Sequence, residues 1–429
     1  MRASEHDEGC ILMSAGSPSP RILILAENFF DGKGGGDVQI RRVVDWLREN
    51  RMNFRVVARR PPEGVHYAPD EFVLYDLPAT NTHRVIQWLL DNPLTYFRSK
   101  KGLSSLKCWG DVDIIWTMVE RCAAIARRQS PNATILYCPG EVYPGVLQFF
   151  RNEGIGSGRL TPLKQAIDWF WYRHMQRRAI AAATGIVAIS RNSAVQLKQE
   201  YACTKPTLVS NNPAQGLPPA GEEERSRIRT DIRRELGIPP FAYVFVSAGR
   251  LTKRKGFDLL IQAFGQLNGT CAHLIICGEG GLANPLKELV RTLGIMDRIH
   301  FVGYVSPLWN HFYAADCFVS TALFEPFGNV FVEAMTAGLP VIGLAGPEDG
   351  IKTATEEIIR SEDYGHVVRG KDLEGLAEKM AQMVDLDANQ QNAMQKAAVT
   401  AALKFFAPEV VLREQYAFVQ GLFKPGIHK

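Results

Sequence analysis

The sequence contains no CxxC pair, no HExxH and no apolar run of the ~18 residues that a membrane-spanning helix needs. Its eight cysteines are scattered, and the closest two, Cys271 and Cys277, flank an apolar stretch. That placement suits buried reduced thiols and excludes a disulfide framework or a zinc knuckle. The nine histidines never gather with carboxylates, so the sequence nominates no metal site and no metal cofactor. Neither sign of charge dominates: 49 basic residues against 45 acidic ones leave +4. The start mixes Glu5, Asp7 and Glu8 with Ser, Gly and Pro, and Ile11-Leu12-Met13 is too short and too little basic for a secretory signal. Residues 1–19 are therefore read as a flexible tail and the chain as cytoplasmic.

What remains is an ordinary globular composition, 46% apolar and 22% charged, over 429 residues, which is more than one hydrophobic core usually supports. Apolar strand-like runs alternate with helical periodicity along the whole chain, the pattern of parallel sheets wrapped by helices. The runs in the first half are Ile22 to Ala26, Phe54 to Ala58, Val112 to Trp116, Thr134 to Cys138, Gly185 to Ile189 and Thr207 to Ser210. Those in the second are Tyr243 to Ala248, His273 to Cys277, Ile299 to Val302, Cys317 to Ser320, Pro340 to Gly343 and Gly365 to Val368. A seam rich in Asn, Pro and Gly lies at Asn211 to Gly221, which puts the boundary near 215 and makes two α/β units, 20–215 and 216–405. Two open parallel sheets bind ligands beyond their strands' carboxyl ends, so function is expected in the cleft between them.

The small excess of charge is unevenly placed. Residues 1–212 carry 27 basic against 20 acidic side chains, and residues 213–429 carry 22 against 25. Arg225 to Arg234 falls where Ile228, Ile232 and Leu236 recur every four residues, so it reads as an amphipathic helix with a solvated arginine face rather than a nucleic-acid surface. Arg98 to Lys107 follows the aromatic run Trp88 to Phe97 and reads as a solvated loop after a packed helix. The basic half is also the candidate surface for peripheral contact with an anionic membrane.

The most informative segment is Phe324 to Pro340. A turn at Pro326 to Asn329 leads into a helix, whose free amides suit a phosphate, with Glu325 just before the start and Glu333 inside. Residues 301–350 hold five acids and no Lys or Arg, so neutralising cations must come from elsewhere. Ser247 to Gly256 offers them: a strand ends at Gly249, and Arg250, Lys253, Arg254 and Lys255 follow before the next helix. Of these, Lys253 and Arg254 read as solvated. The turn with Gly278, Gly280 and Ala283 also fits a relaxed GxGxxA dinucleotide fingerprint, which keeps an NAD-linked oxidoreductase as an alternative.

Gly249-Arg250-Leu251 with Lys255-Gly256, the turn Cys277 to Gly281, Phe301 to Val305, the glutamates 325 and 333 separated by seven residues, and Glu333 to Ile342 together resemble the retaining glycosyltransferases of GT-B fold, group 1 or family four. The resemblance covers Gly185 to Val368 in order and continues weakly down to Arg21. It implies two Rossmann-like β/α/β domains facing a cleft, the first binding the acceptor and the second a nucleotide sugar, with a C-terminal helix within 406–429 crossing back onto the first. It also implies a hexosyltransferase that moves sugar from a nucleotide diphosphate donor, UDP-sugar first and GDP-sugar next, to a hydroxyl of a glycan, lipid-linked saccharide or small metabolite.

By the same resemblance, Arg250 and Lys255 hold the diphosphate, Glu325 and the amides of Phe327, Gly328 and Asn329 meet the donated sugar, and Glu333 meets the ribose. Gly249 and Gly278 permit close approach, and the backbone from Val302 to Tyr304 meets the base. On the acceptor side stands a Gly-rich loop with Gly34, Gly35 and Gly36. Many relatives place a histidine there after a later strand, whereas this sequence reads Tyr137 to Gly145 with Glu141 and has no histidine between His83 and His174. Glu141 either orients an acceptor hydroxyl or caps the following turn. The missing histidine is what a noncatalytic nucleotide-sugar-binding protein of the same fold would also show.

Overall fold

The structure is a computed structural model that describes residues 19–30, 35–77, 84–142, 161–214, 220–267, 269–346 and 350–423. Residues 1–18 of the expected tail at 1–19, Gly34, part of the seam at 215–219 and residues 424–429 lie outside the described residues.

Seven strands form the first sheet: β1 (Ile22–Leu25), β2 (Phe54–Arg59), β3 (Phe72–Tyr75), β4 (Ile114–Thr117), β5 (Thr134–Tyr137), β6 (Gly185–Ala188) and β7 (Thr207–Val209). They are all parallel, in the order β3-β2-β1-β4-β5-β6-β7. The described residues of this half hold the helices α1 (Gly35–Glu49), α2 (Arg84–Ser104), α3 (Glu120–Gln129), α4 (Thr161–Ala182) and α5 (Arg191–Tyr201). Strands such as β1, β4 and β5 are buried at every position, as required where helices cover both faces.

The second sheet uses β8 (Tyr243–Ala248), β9 (Ala272–Cys277), β10 (Ile299–Gly303) and β11 (Cys317–Ser320). After the short β12 (Phe324–Glu325) come β13 (Val341–Ala345), the short β14 (Lys352–Thr353), which pairs with β12, and β15 (Gly365–Arg369). The main order is β10-β9-β8-β11-β13-β15. Its helices are α6 (Glu222–Glu235), α7 (Phe257–Gly265), α8 (Ala283–Thr292), α9 (Trp309–Ala314), α10 (Asn329–Thr336), α11 (Thr355–Ile358), α12 (Leu373–Val384) and α13 (Ala388–Phe406). Strand order reverses between β1 and β4 and again between β8 and β11. Such switch points open a crevice at the carboxyl ends, and these are the two places from which the candidate site is built.

The last helix, α14 (Pro408–Leu422), belongs to the first half by packing: Leu412, Tyr416 and Val419 are buried with Trp46, Ile114 and Leu136. Trp46 donates its indole N–H to Glu409 at 2.7 Å, which pins α14 to α1. The chain thus passes between the two halves twice, at 211–221 and at 406–408.

Three local expectations are corrected. Arg98 to Ser104 is not loop: α2 continues to Ser104, because Tyr96, Ser99 and Leu103 fall on one buried face, and only the stretch from 105 to Lys107 leaves the helix. Gly35 and Gly36 are the first residues of α1 rather than loop, with Asp37 in the first turn where a negative charge favours the helix. The arginines of α6 are not all solvated. Arg233 is 4% exposed, donating to Asp316 at 2.7 Å and to the carbonyls of Ala314 and Ala242, while Arg229 reaches the other Asp316 oxygen at 2.6 Å. Asp316 also accepts from the Val244 amide, so one buried carboxylate ties α6 to the starts of β8 and β11.

Removing Arg233 leaves Asp316 buried with part of its counter-charge gone. Arg233→Ala should cost roughly 3 kcal/mol in urea unfolding, and Arg234→Ala, at an exposed position, less than about 0.5 kcal/mol; equal costs would contradict the arrangement. A second prediction concerns pH. His273 and His300 stack at 5.3 Å with Nδ1 and Nε2 3.0 Å apart, and burial holds both below the usual range, His300 at about 4. Their neutral forms stabilise the fold fully above pH ~6.5, and that contribution is lost as pH falls toward 4. Wild type should lose roughly 2 kcal/mol more than His300→Gln between pH 7 and 4.5, measured by urea unfolding.

Candidate active site

The loops that follow β1, β4 and β5 face the loops that follow β8 and β11 across a cavity of about 350 Å³. One wall carries Glu27, Gly36, Asp37, Glu120 and Glu141. The other carries Arg254 and the run from Glu325 to Asn329, and Asn212 lines the side nearest the linker. Of the expected residues, Gly36, Glu141, Glu325, Phe327, Gly328 and Asn329 line this cavity. Gly249, Arg250, Lys255, Gly278, Val302, Tyr304 and Glu333 do not.

Backbone contacts join the loops after β8, β9 and β10. Gly249 donates to the Cys277 carbonyl at 2.9 Å, Leu251 to Glu279 at 2.9 Å, and Gly278 to Gly303 at 2.7 Å. The approach is so close that a Cβ at Gly278, where φ is +145°, would sit 1.9 Å from the Gly249 oxygen, and one at Gly280 would sit 2.4 Å from the Leu251 oxygen. These glycines are accounted for by loop contact, which removes the reason to read Gly278, Gly280 and Ala283 as a dinucleotide fingerprint. Tyr304 is 62% exposed just after β10, and Val302 is half-buried, packed against the core.

Cations and carboxylates alternate in this region. Arg250 is exposed at the end of β8 and its guanidinium has no protein partner among the described residues. Lys255 closes a single 3₁₀ turn, Lys253–Lys255, and its stem lies over Gly249, where a Cβ would come within 3.3 Å of Cε. Its ammonium pairs with Glu325, which sits at the end of β12. Burial pushes the Glu325 carboxyl up, but Lys255 and then Arg254 outweigh it and hold the group below the usual carboxylate range. Gly328, at φ +105°, turns the chain from that glutamate into the first turn of α10, whose N-terminal amides favour an anion. The Phe327 side chain is buried, with its ring packed against Phe406.

Several contacts cross between the halves, among them the Arg191 amide donating to Glu357 at 2.8 Å. Arg254 donates to Glu141 at 2.9 Å, with the two side chains 25% and 30% exposed. Arg42 of α1 donates to Glu333 at 3.2 Å, and Asn212 donates to the Asn329 side chain at 3.0 Å. Arg254 is therefore a cleft residue and not a solvated one, because Glu141 and, at longer range, Glu325 draw it inward and together raise its pKa against the opposing effect of burial. The Glu141 carboxylate is engaged across the cavity, and its own carbonyl accepts from Gln176.

Sequence reasoning missed Arg42, Arg254, Asn212 and Glu27. Glu27 left a readable signal, an acid at the end of the apolar strand Ile22 to Ala26. It is 2% exposed at the cavity wall, bound by Arg121, by the Tyr75 hydroxyl at 2.7 Å and by Arg59 at 3.6 Å. Burial raises its pKa, and Arg121 more than offsets this, so it is a buried carboxylate held ionised.

The Glu141 to Arg254 pair is checkable in solution. A double-mutant cycle with Glu141→Gln and Arg254→Met should give a coupling of about 1 kcal/mol in unfolding free energy; additive single variants would mean the contact does not form.

Comparison with known proteins follows the same division. The family model described as Glycosyl transferases group 1 matches residues 228–400, the half that carries Arg250, Lys255, Glu325 and Glu333. The mannosylfructose-phosphate synthase of Agrobacterium fabrum is 35% identical over 141 residues, 29% of this chain, and the chain spans 31% of that relative's length. A much longer match joins it to D-inositol 3-phosphate glycosyltransferase 1 of Catenulispora acidiphila, 30% identical over 381 residues, covering 84% of this chain and 83% of the relative. Among solved structures, Anabaena Alr3699/HepE in complex with UDP and glucose superimposes with a TM-score of 0.65 at 18% identity, over 94% of this chain and 99% of that one, which carries the GT-B fold. With two parallel-sheet domains facing one cleft and a relative matched along most of both chains, this protein belongs to the group 1 glycosyltransferases.

Proposed function

We propose that this chain is a retaining transferase that moves a hexosyl group from a nucleotide diphosphate sugar, UDP-linked first and GDP-linked next, to a hydroxyl of a carbohydrate-type acceptor. One observation carries the reading. Arg250, without a protein partner among the described residues, and Lys255, paired with Glu325, belong to the same domain as Glu325 and the start of α10, which line the cavity opposite Gly36, Asp37 and Glu141 of the other. UDP and glucose bound to the Anabaena relative support the donor class.

In this reading the acceptor oxygen attacks the anomeric carbon on the face from which the diphosphate leaves. The new C–O bond forms as the sugar to phosphate bond breaks, and the hydroxyl proton passes to the departing diphosphate. Negative charge grows on that group, so the work of the protein is to hold both substrates in line and to stabilise the charge. Arg250, Lys255 and the α10 amides do this in place of a metal, and Glu325 exchanges its pairing with Lys255 for a hydroxyl of the sugar. The backbone of Gly249, Gly278 and Val302 to Tyr304 receives the nucleoside, and Glu333 accepts from its ribose. Glu141 and the glycines at the start of α1 face the acceptor.

Among the described residues no helix is long and apolar enough to cross a membrane. We place the reaction in the cytoplasm, with the basic N-terminal half meeting the anionic membrane face when the acceptor is lipid-linked.

The test is a panel of UDP-, GDP- and ADP-sugars assayed for released nucleotide diphosphate, with and without saccharide acceptors. Turnover with one donor, unchanged by EDTA, is expected, and it separates the enzyme from a noncatalytic binding protein. Arg250→Ala and Lys255→Ala should each lower kcat by about 10²–10³. Near-wild-type turnover in both variants would overturn the assignment.

A further inference from the structure

Arg42 lies in α1 of the N-terminal half, is 9% exposed, and spends its guanidinium on two acceptors that belong to no part of its own helix. Nη1 donates to the carbonyl of Pro213 in the linker, and Nη2 donates to Oε1 of Glu333 at 3.2 Å, 291 residues away. The Glu333 side chain is 19% exposed, and its Oε2 takes no hydrogen bond from the described residues. The carboxylate is thus anchored through one oxygen while the other stays available. A second contact from the same linker, Asn212 to Asn329, holds the first turn of the same helix.

The physical need for an anchor is plain. Burial raises the pKa of Glu333, and Arg42 opposes that rise; without its counter-charge the group would spend more of its time protonated and would lose acceptor strength. An unanchored glutamate also spreads over several rotamers, each of which must be given up when a ligand hydroxyl binds. A guanidinium holds a linker carbonyl and a carboxylate oxygen through two separate nitrogens in a rigid planar fork, whereas an ammonium must reach both from one nitrogen on a flexible stem.

We propose that Arg42 is a positioning residue for the donor nucleotide: braced by Pro213, it fixes one oxygen of Glu333 so that the other accepts from a ribose hydroxyl. The proposal rests on the ribose reading of Glu333 given above and extends it, since it makes the acceptor-binding half part of the nucleotide site. Nucleotide recognition is then complete only when α1 and α10 are in contact, which ties donor binding to closure of the cleft.

The full chain is titrated calorimetrically with UDP and 2′-deoxyUDP, and in parallel with GDP and 2′-deoxyGDP, and the base that binds is carried forward. Wild type should prefer the ribonucleotide by about tenfold or more, the range of a hydrogen bond to a charged acceptor. Glu333→Gln and Arg42→Gln should each bring that preference within about threefold, and the double variant should lower it no further. A purely structural contact would weaken both nucleotides equally and leave the ratio alone. An unchanged ratio in Arg42→Gln beside a collapsed one in Glu333→Gln overturns the proposal and leaves the ribose reading standing. An unchanged ratio in Glu333→Gln, or no preference in wild type, overturns the ribose reading and the proposal with it. Should Arg42→Gln fail to fold, Arg42→Lys carries the same test: an intermediate ratio is expected, and a wild-type ratio overturns the proposal.

Discussion

A buried or half-buried carboxylate is stable only beside a cation, and that constraint organises this molecule around its cleft. Glu141 pairs with Arg254, Glu325 with Lys255, Glu333 with Arg42, and Glu27 with Arg121. Two of these pairs cross between the halves, so the electrostatics that satisfy the acids also bring the two sheets together. Arg250 is the exception, a cation beside the cleft with no acid paired to it among the described residues. Charge balance therefore leaves room for an anion at the end of β8, close to the α10 amides that favour one. The fold makes this geometrically possible because both switch points open toward the same space.

The same constraint gives the cleft its responsiveness. A carboxylate that pairs with a cation in the empty protein is the group an incoming phosphate would replace, since both are oxyanions competing for one donor. Lys255 is held by a glutamate at a strand end, 17% exposed, and Arg254 by one on a loop, 30% exposed, rather than by acids sealed in the core. Those pairings can be exchanged. Asp316 between Arg229 and Arg233 is the contrasting case: it lies away from the cavity, also accepts from a backbone amide, and serves the packing of α6 alone.

Much of the fold was legible in the sequence, because strands buried on both faces read as unbroken apolar runs and all but one of the main-sheet strands announce themselves that way. The exception, β3, is the apolar run Phe72–Tyr75 at the sheet edge, pairing with β2 alone and only partly buried at three of its four positions. The two-residue strands β12 and β14 carry no pattern at all. Of the site, the Gly249 to Lys255 and Glu325 to Glu333 segments were readable because their chemistry is local. Arg42, Arg254 and Arg233 were not, since what defines each is a carboxylate 291, 113 and 83 residues away. A basic side chain on an amphipathic helix looks solvated until the acid that faces it is placed.

The central claim is that a nucleotide diphosphate enters between the loop after β8 and the start of α10. Amide hydrogen exchange of the full chain with and without UDP or GDP addresses it directly. The account predicts slowed exchange in peptides covering Gly249 to Gly256 and Phe324 to Glu333, with weaker protection at the start of α1. Slowed exchange confined to other regions, with both of these segments unchanged under saturating nucleotide, would contradict it.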